Sequence, residues 1–98
     1  MDFKVVWILR ARQDLREIAT FIAAESPSAA LKLGDQIFTR VKSLEQFPEL
    51  GRVVPNYFRS TLREIVVKPC RIIYRFRPKE KAVEILWVWH GARGEPEV

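Results

Sequence analysis

The side chains best suited to chemistry lie in the second half of this sequence. Arg71 and Arg75 stand four apart in "RIIYRF", and "WVWHGAR" gathers Trp89, His90 and Arg93 within five residues. Arginine presents a planar fork of N–H donors that matches a phosphate or carboxylate bidentately. An imidazole beside it can move a proton near neutral pH. Together such groups could stabilise a pentavalent phosphate and supply the general acid of an RNA cleavage. The same residues also fit plainer roles, with the arginines solvated on an exposed sheet face and His90 bonded to backbone at a strand end. The pattern favours a charged binding surface of Arg71, Arg75, Trp89, His90 and Arg93 over catalysis. An exposed tryptophan there could stack a base or anchor a peptide. Trp7 and one of Trp87 and Trp89 are expected in the core.

Other chemistry finds little material. The phosphate-binding loop, the dinucleotide fingerprint and the nucleophile elbow are absent. A single histidine and a single cysteine, Cys70, cannot build a zinc site unaided or form an intrachain disulfide. Neither a metal nor a cofactor is therefore expected. Cys70 reads as a small strand-end hydrophobe rather than a nucleophile.

These groups need strands to hold them. "LREIVVK" (62–68), "RIIYRF" (71–76) and "AVEILWVWH" (82–90) are separated by "PC" and "RPKEK", short enough for antiparallel hairpins. In the middle strand Ile72, Tyr74 and Phe76 should face the core, which sends Arg71, Ile73, Arg75 and Arg77 to the other face. The last strand is apolar on both faces, with Val83, Ile85, Trp87 and Trp89 on one and Leu86 and Val88 on the other. It should be central, with His90 beside Arg71 and Arg75 at its end. An open cationic sheet face follows, and Arg71→Ala and His90→Ala should leave the fold intact.

The first half supplies the cover. "FKVVWIL" (3–9) reads as a strand buried on both faces. Leu15, Ile18 and Ile22 then recur at helical spacing up to about Glu25. Ser26 can cap a second helix and Pro27 fits its first turn, while Ala30, Leu33, Ile37, Val41 and Leu44 form its apolar stripe until Pro48. Gly34 interrupts that helix at about 1 kcal/mol relative to alanine, a cost that a close helix contact would explain. With so short a linker the helices should pair antiparallel. The fold class is α+β in the order β-α-α-β-β-β, a helical hairpin on one face of a small, mainly antiparallel sheet.

The totals agree. The chain has 98 residues, 48% hydrophobic and 30% charged, which suits one domain (1–94) with a short tail (95–98). Its formal charge of +5 attracts polyanions or an acidic protein partner. The first apolar run is too short for a membrane span and lacks the features of a signal peptide, so a cytoplasmic protein without membrane contact is expected.

Four segments in order, "DLREIATFIAAESPSAA", "LEQFPELGR", "LREIVVKPCRIIYRF" and "VEILWVWHGAR", resemble the ParE/RelE superfamily, toxins of bacterial type II toxin–antitoxin pairs. The resemblance is greatest to the ParE, or plasmid-stabilisation, branch. It covers nearly the whole chain and implies the same β-α-α-β-β-β fold. It also implies a cognate antitoxin as partner, with operator DNA reached only through that antitoxin, and growth inhibition by one of two routes. ParE-like members poison DNA gyrase; RelE-like members cut mRNA on the ribosome with basic residues and a C-terminal aromatic. Arg71 matches the arginine that RelE-like enzymes set near the scissile phosphate. Arg93 roughly matches a later arginine, and His90 a histidine of some ribonuclease branches. The paired lysines of the preceding strand are replaced by Leu62 and Glu64, and the last tyrosine is Tyr74. These departures favour gyrase as target. The alternatives are a ribosome-dependent endoribonuclease using Arg71, His90 and Arg93, and a non-toxic basic module that only binds an antitoxin.

Overall fold

The structure is a computed structural model that describes residues 2–54 and 62–91. A strand, β1 (Lys4–Trp7), leads directly into helix α1 (Leu9–Ala23), and α2 (Pro27–Lys42) follows. The Ser26 side chain accepts a hydrogen bond from the Ala29 N–H at 3.2 Å, and Pro27 occupies the first turn. A single 3-10 turn (Ser43–Glu45) extends α2, and a two-residue strand, β2 (Arg52–Val53), lies between the helices and the strands that follow. Strands β3 (Leu62–Val67), β4 (Cys70–Arg77) and β5 (Ala82–His90) complete the order.

The sheet runs β1-β5-β4-β3-β2. Among the described strands only β1 with β5 is parallel, because the helical hairpin carries the chain back before the three-strand meander begins. That places β1 at an edge, where its residues are exposed or half-buried rather than buried on both faces. Isoleucines, valines and leucines from both layers meet between helices and sheet: Ile18, Leu33, Ile37, Val41 and Leu44 against Ile65, Ile72, Val83, Ile85 and Val88. Each such side chain, removed from water, contributes roughly 1.5–3 kcal/mol. The opposite sheet face carries a smaller cluster of its own, Val54, Ile73 and Trp87, with Leu62 and Leu86 packed on it.

One irregularity decides which residues share a face. Tyr74 pairs with Ile85 and Ile73 with Trp87, so Leu86 is an extra residue without a partner, a β-bulge. Inward positions in β5 therefore run Val83, Ile85 and then Val88, while Trp87 turns to the other side. The strict alternation expected from sequence breaks at Leu86. Val83 and Ile85 do not share a face with Trp87.

Candidate functional site

On the face away from the helices, β3 presents Glu64 and β4 presents Arg71, diagonal neighbours in the ladder. The Glu64 side chain is fully buried, and Arg71 closes a fork on it. Arg71 Nε donates to Oε1 at 3.1 Å, and Nη2 donates to Oε1 and Oε2 at 2.9 and 2.8 Å. Arg52, brought opposite by β2, adds a bond of 3.2 Å from its largely exposed side chain. Burial would by itself push the Glu64 carboxyl up. The hydrogen bonds from Arg71 and Arg52, and their charges, outweigh it and hold the group below its ordinary value. A second pair repeats the device. Arg75 lies directly across from Glu84, with Nη2 at 2.6 Å, and Arg77 Nε sits 3.0 Å from the same oxygen.

The cationic face expected from sequence is thus corrected. Arg71, Arg75 and Arg77 do point to the side opposite the helices, but the chain's own carboxylates take up their charge. The reason is cross-strand: Glu64 and Glu84 share that face by the same alternation, and register sets each within reach of an arginine.

His90 is separated from this group. Beyond the bulge it pairs with Cys70 on the helix side of the sheet, and its ring meets Phe21 of α1 edge-on with centroids 6.0 Å apart. Trp89 pairs with Arg71, is half-buried, and stays on the arginine face. Trp87 is the buried indole of that face, with the Arg10 guanidinium 5.3 Å from its ring centroid. Arg93 lies outside the described residues. Of the five candidates, Arg71, Arg75 and Trp89 share a face and His90 does not join them.

Sequence reasoning missed how the segment leading into β2 is fastened to the sheet. Tyr74 points inward, and its hydroxyl accepts from the Gly51 N–H and donates to the Pro48 carbonyl, both at 2.8 Å. Arg63 closes the same loop on the Gly51 carbonyl at 2.8 Å. Gly51 has no room for a side chain, since a Cβ would lie 2.6 Å from the Glu64 carbonyl oxygen and 2.7 Å from the Tyr74 ring. The "PELGR" and "RIIYR" segments therefore fit one another: proline, glycine and tyrosine form a latch, and Arg52 and Arg71 converge on Glu64. At the other end of the sheet β1 stops at Trp7, opposite Ile85, and Asp14 of α1 takes the Val88 N–H at 3.1 Å. Glu64 carried a usable signal, an acid on the strand face opposite an arginine. Asp14 carried none.

A different feature lies on the far side of the molecule. Between the β1 edge and the helical hairpin runs a groove of about 820 Å³, walled by Val5, Trp7, Leu15, Leu31 and Phe38. Leu31 and Phe38 are 74% and 53% exposed, so this apolar surface is open to a partner. Its charged residues are Lys4, Arg12 and Arg16 against Asp35. Leu31 and Phe38 fall outside the core stripe of α2, which is the signal that sequence reading passed over.

Residues 5–94 match the family model described as the ParE toxin of type II toxin–antitoxin system, parDE. The chain belongs to the ParE toxin family. Among curated relatives, Toxin RelE2 of Caulobacter vibrioides is 38% identical over 92% of this chain and 97% of its own length. Putative toxin Y4kP of Sinorhizobium fredii is 36% identical over 97% of the chain and 95% of its own. Among solved structures, the toxin in the chromosomal ParDE system of P. aeruginosa superposes with a TM-score of 0.71 at 24% identity, over 90% of this chain and 95% of that one. The RelBE2 toxin–antitoxin complex of Mycobacterium tuberculosis gives 0.64 at 20% identity, over 92% and 99%. Two helices on a mixed five-stranded sheet are thus the fold of this ParE/RelE toxin, as the motifs implied. Among the described residues, no helix is long and apolar enough to cross a membrane.

Proposed function

We propose that this ParE-family toxin acts on DNA gyrase in the cytoplasm. A cognate antitoxin silences it by laying an amphipathic segment in the groove between β1 and the helices. The observation that carries the choice of target is the Arg71 fork closed on buried Glu64. A scissile phosphate would have to displace a carboxylate that is already bidentate and removed from water, leaving that carboxylate short of a partner. His90, the only imidazole, stands on the opposite face and is no proton donor for chemistry at Arg71. Among the described residues, Arg71 and His90 are thus not placed to act together on one phosphate, which supports gyrase over RNA as the target.

The antitoxin reading draws on the family and on the chemistry of the groove. Three cations facing one carboxylate suit a segment with apolar side chains flanked by acids. Such a segment, disordered alone, gains from buried apolar area and charge pairing together when it folds on the groove.

Purified toxin added to gyrase and relaxed plasmid tests the target directly. The expected result is loss of supercoiling with DNA breaks trapped on the enzyme. Intact gyrase activity alongside cleaved mRNA in translating ribosomes would transfer the protein to the endoribonuclease class. Normal growth on overexpression without an antitoxin would reduce it to a non-toxic binding module.

A further inference from the structure

Gly34 stands in the middle of α2, where glycine weakens a helix. The close helix contact that would explain it is not there: a Cβ built on Gly34 meets none of the described residues within 4 Å. The chain's own packing therefore does not require glycine at this position. Its neighbours show what the space adjoins. Leu31 precedes it by three residues and Phe38 follows by four, so all three lie along one face of α2. That face is a second apolar stripe, apart from the buried one of Leu33, Ile37 and Val41. The two flanking side chains stand out into solvent, and the missing one leaves a gap between them in the groove wall.

We propose that Gly34 is a specificity-determining residue for the antitoxin. The gap it leaves receives a bulky apolar side chain from the partner's acid-flanked segment, between Leu31 and Phe38, as a knob enters a hole. The occupant is fixed by the surroundings. The Trp7 ring packs on Phe38 with centroids 5.5 Å apart, which gives the hole an aromatic wall suited to leucine, isoleucine or phenylalanine rather than to a charged group. Lys4, Arg12 and Arg16 set the cations for the acids on either side. Because no described residue of the toxin fills the gap, a larger residue at position 34 is tolerated by the fold and rejected by the partner. A related toxin can thus refuse a foreign antitoxin at one position.

The inference rests on the antitoxin reading above, and its test separates the two. The probe is the product of the reading frame adjoining the toxin's, purified and titrated against full-length toxin carrying Gly34→Ala, Gly34→Gln or Gly34→Leu. Thermal unfolding of each variant is measured alongside, with Lys32→Leu as a control on the same helix outside the groove. All four variants are expected to melt no lower than wild type. Gly34→Leu and Gly34→Gln should weaken binding at least about 30-fold, the scale of a lost interface hot spot, with a smaller loss for alanine and none for Lys32→Leu. Wild-type affinity in both Gly34→Leu and Gly34→Gln would overturn the proposal while leaving the antitoxin reading intact. Failure of wild-type toxin to bind the probe would overturn that reading, and the proposal with it. Melting well below wild type in both large variants would show that Gly34 serves the fold, which also refutes it.

Discussion

Replacing Glu64 by glutamine tests whether the arginine face is structural or functional. The glutamine keeps the shape and removes the charge, so Arg71, with 21% of its side chain exposed, loses the Glu64 carboxylate that it forks. Breaking a buried pair by removing one partner costs about 3–5 kcal/mol. The residual exposure of Arg71 and the neutral amide's remaining acceptor argue for the lower end, about 3 kcal/mol. For a domain of this size that is a fall in Tm of about 12–24 °C. Arg71→Ala should cost a similar amount, since it strands a buried carboxylate with only the exposed Arg52. This reverses the sequence-based expectation that Arg71→Ala leaves the fold intact. Arg52→Ala, at a largely exposed end, should cost under about 1 kcal/mol.

The pH dependence gives an independent check. The folded-state carboxyl lies below its ordinary value, so the stability it contributes is fully present above that ordinary value and is lost as pH falls through the folded one. Denaturant titrations at pH 7 and at successively lower pH should therefore show wild type and Glu64→Gln converging in acid. Glu64→Met combined with Arg71→Met should recover most of the loss, because an apolar pair needs no compensation. Glu64→Gln and Arg71→Ala both within about 0.5 kcal/mol of wild type at pH 7 would refute the reasoning. A lost toxicity in Arg71→Ala would then again be evidence for chemistry at that residue.

The remaining predictions concern the scaffold. Tyr74→Phe leaves the Gly51 N–H without its acceptor in a buried site and should cost about 1–3 kcal/mol by chemical denaturation. Ile37→Ala, at a fully buried position, should cost about 2–5 kcal/mol. Leu15→Ala should fall below that range because Leu15 is only half-buried, packed at the margin of the core. Burial pushes the Cys70 thiol up to about 11, so it stays protonated and covered at pH 8. Iodoacetamide should label it only after unfolding, as mass spectrometry would read; rapid labelling of native protein would contradict its burial.

The sequence by itself determined what depends on neighbours along the chain. The apolar periods of α1 and α2, the Ser26–Pro27 start, the short turns of the β3–β5 meander and the inward set Ile72, Tyr74 and Phe76 are local patterns, and each was readable. So was the family, because its motifs are short and fall in a fixed order. Tertiary structure decided what depends on register. Alternation assumes an unbroken ladder, and one unpaired residue at Leu86 moved His90 to the far face and Trp87 away from Ile85. Arginines counted as free charges met carboxylates from other strands, which spacing along one strand cannot reveal. The parallel pairing of β1 with β5 likewise turned a strand read as core into an edge, and with it opened the groove beside α2.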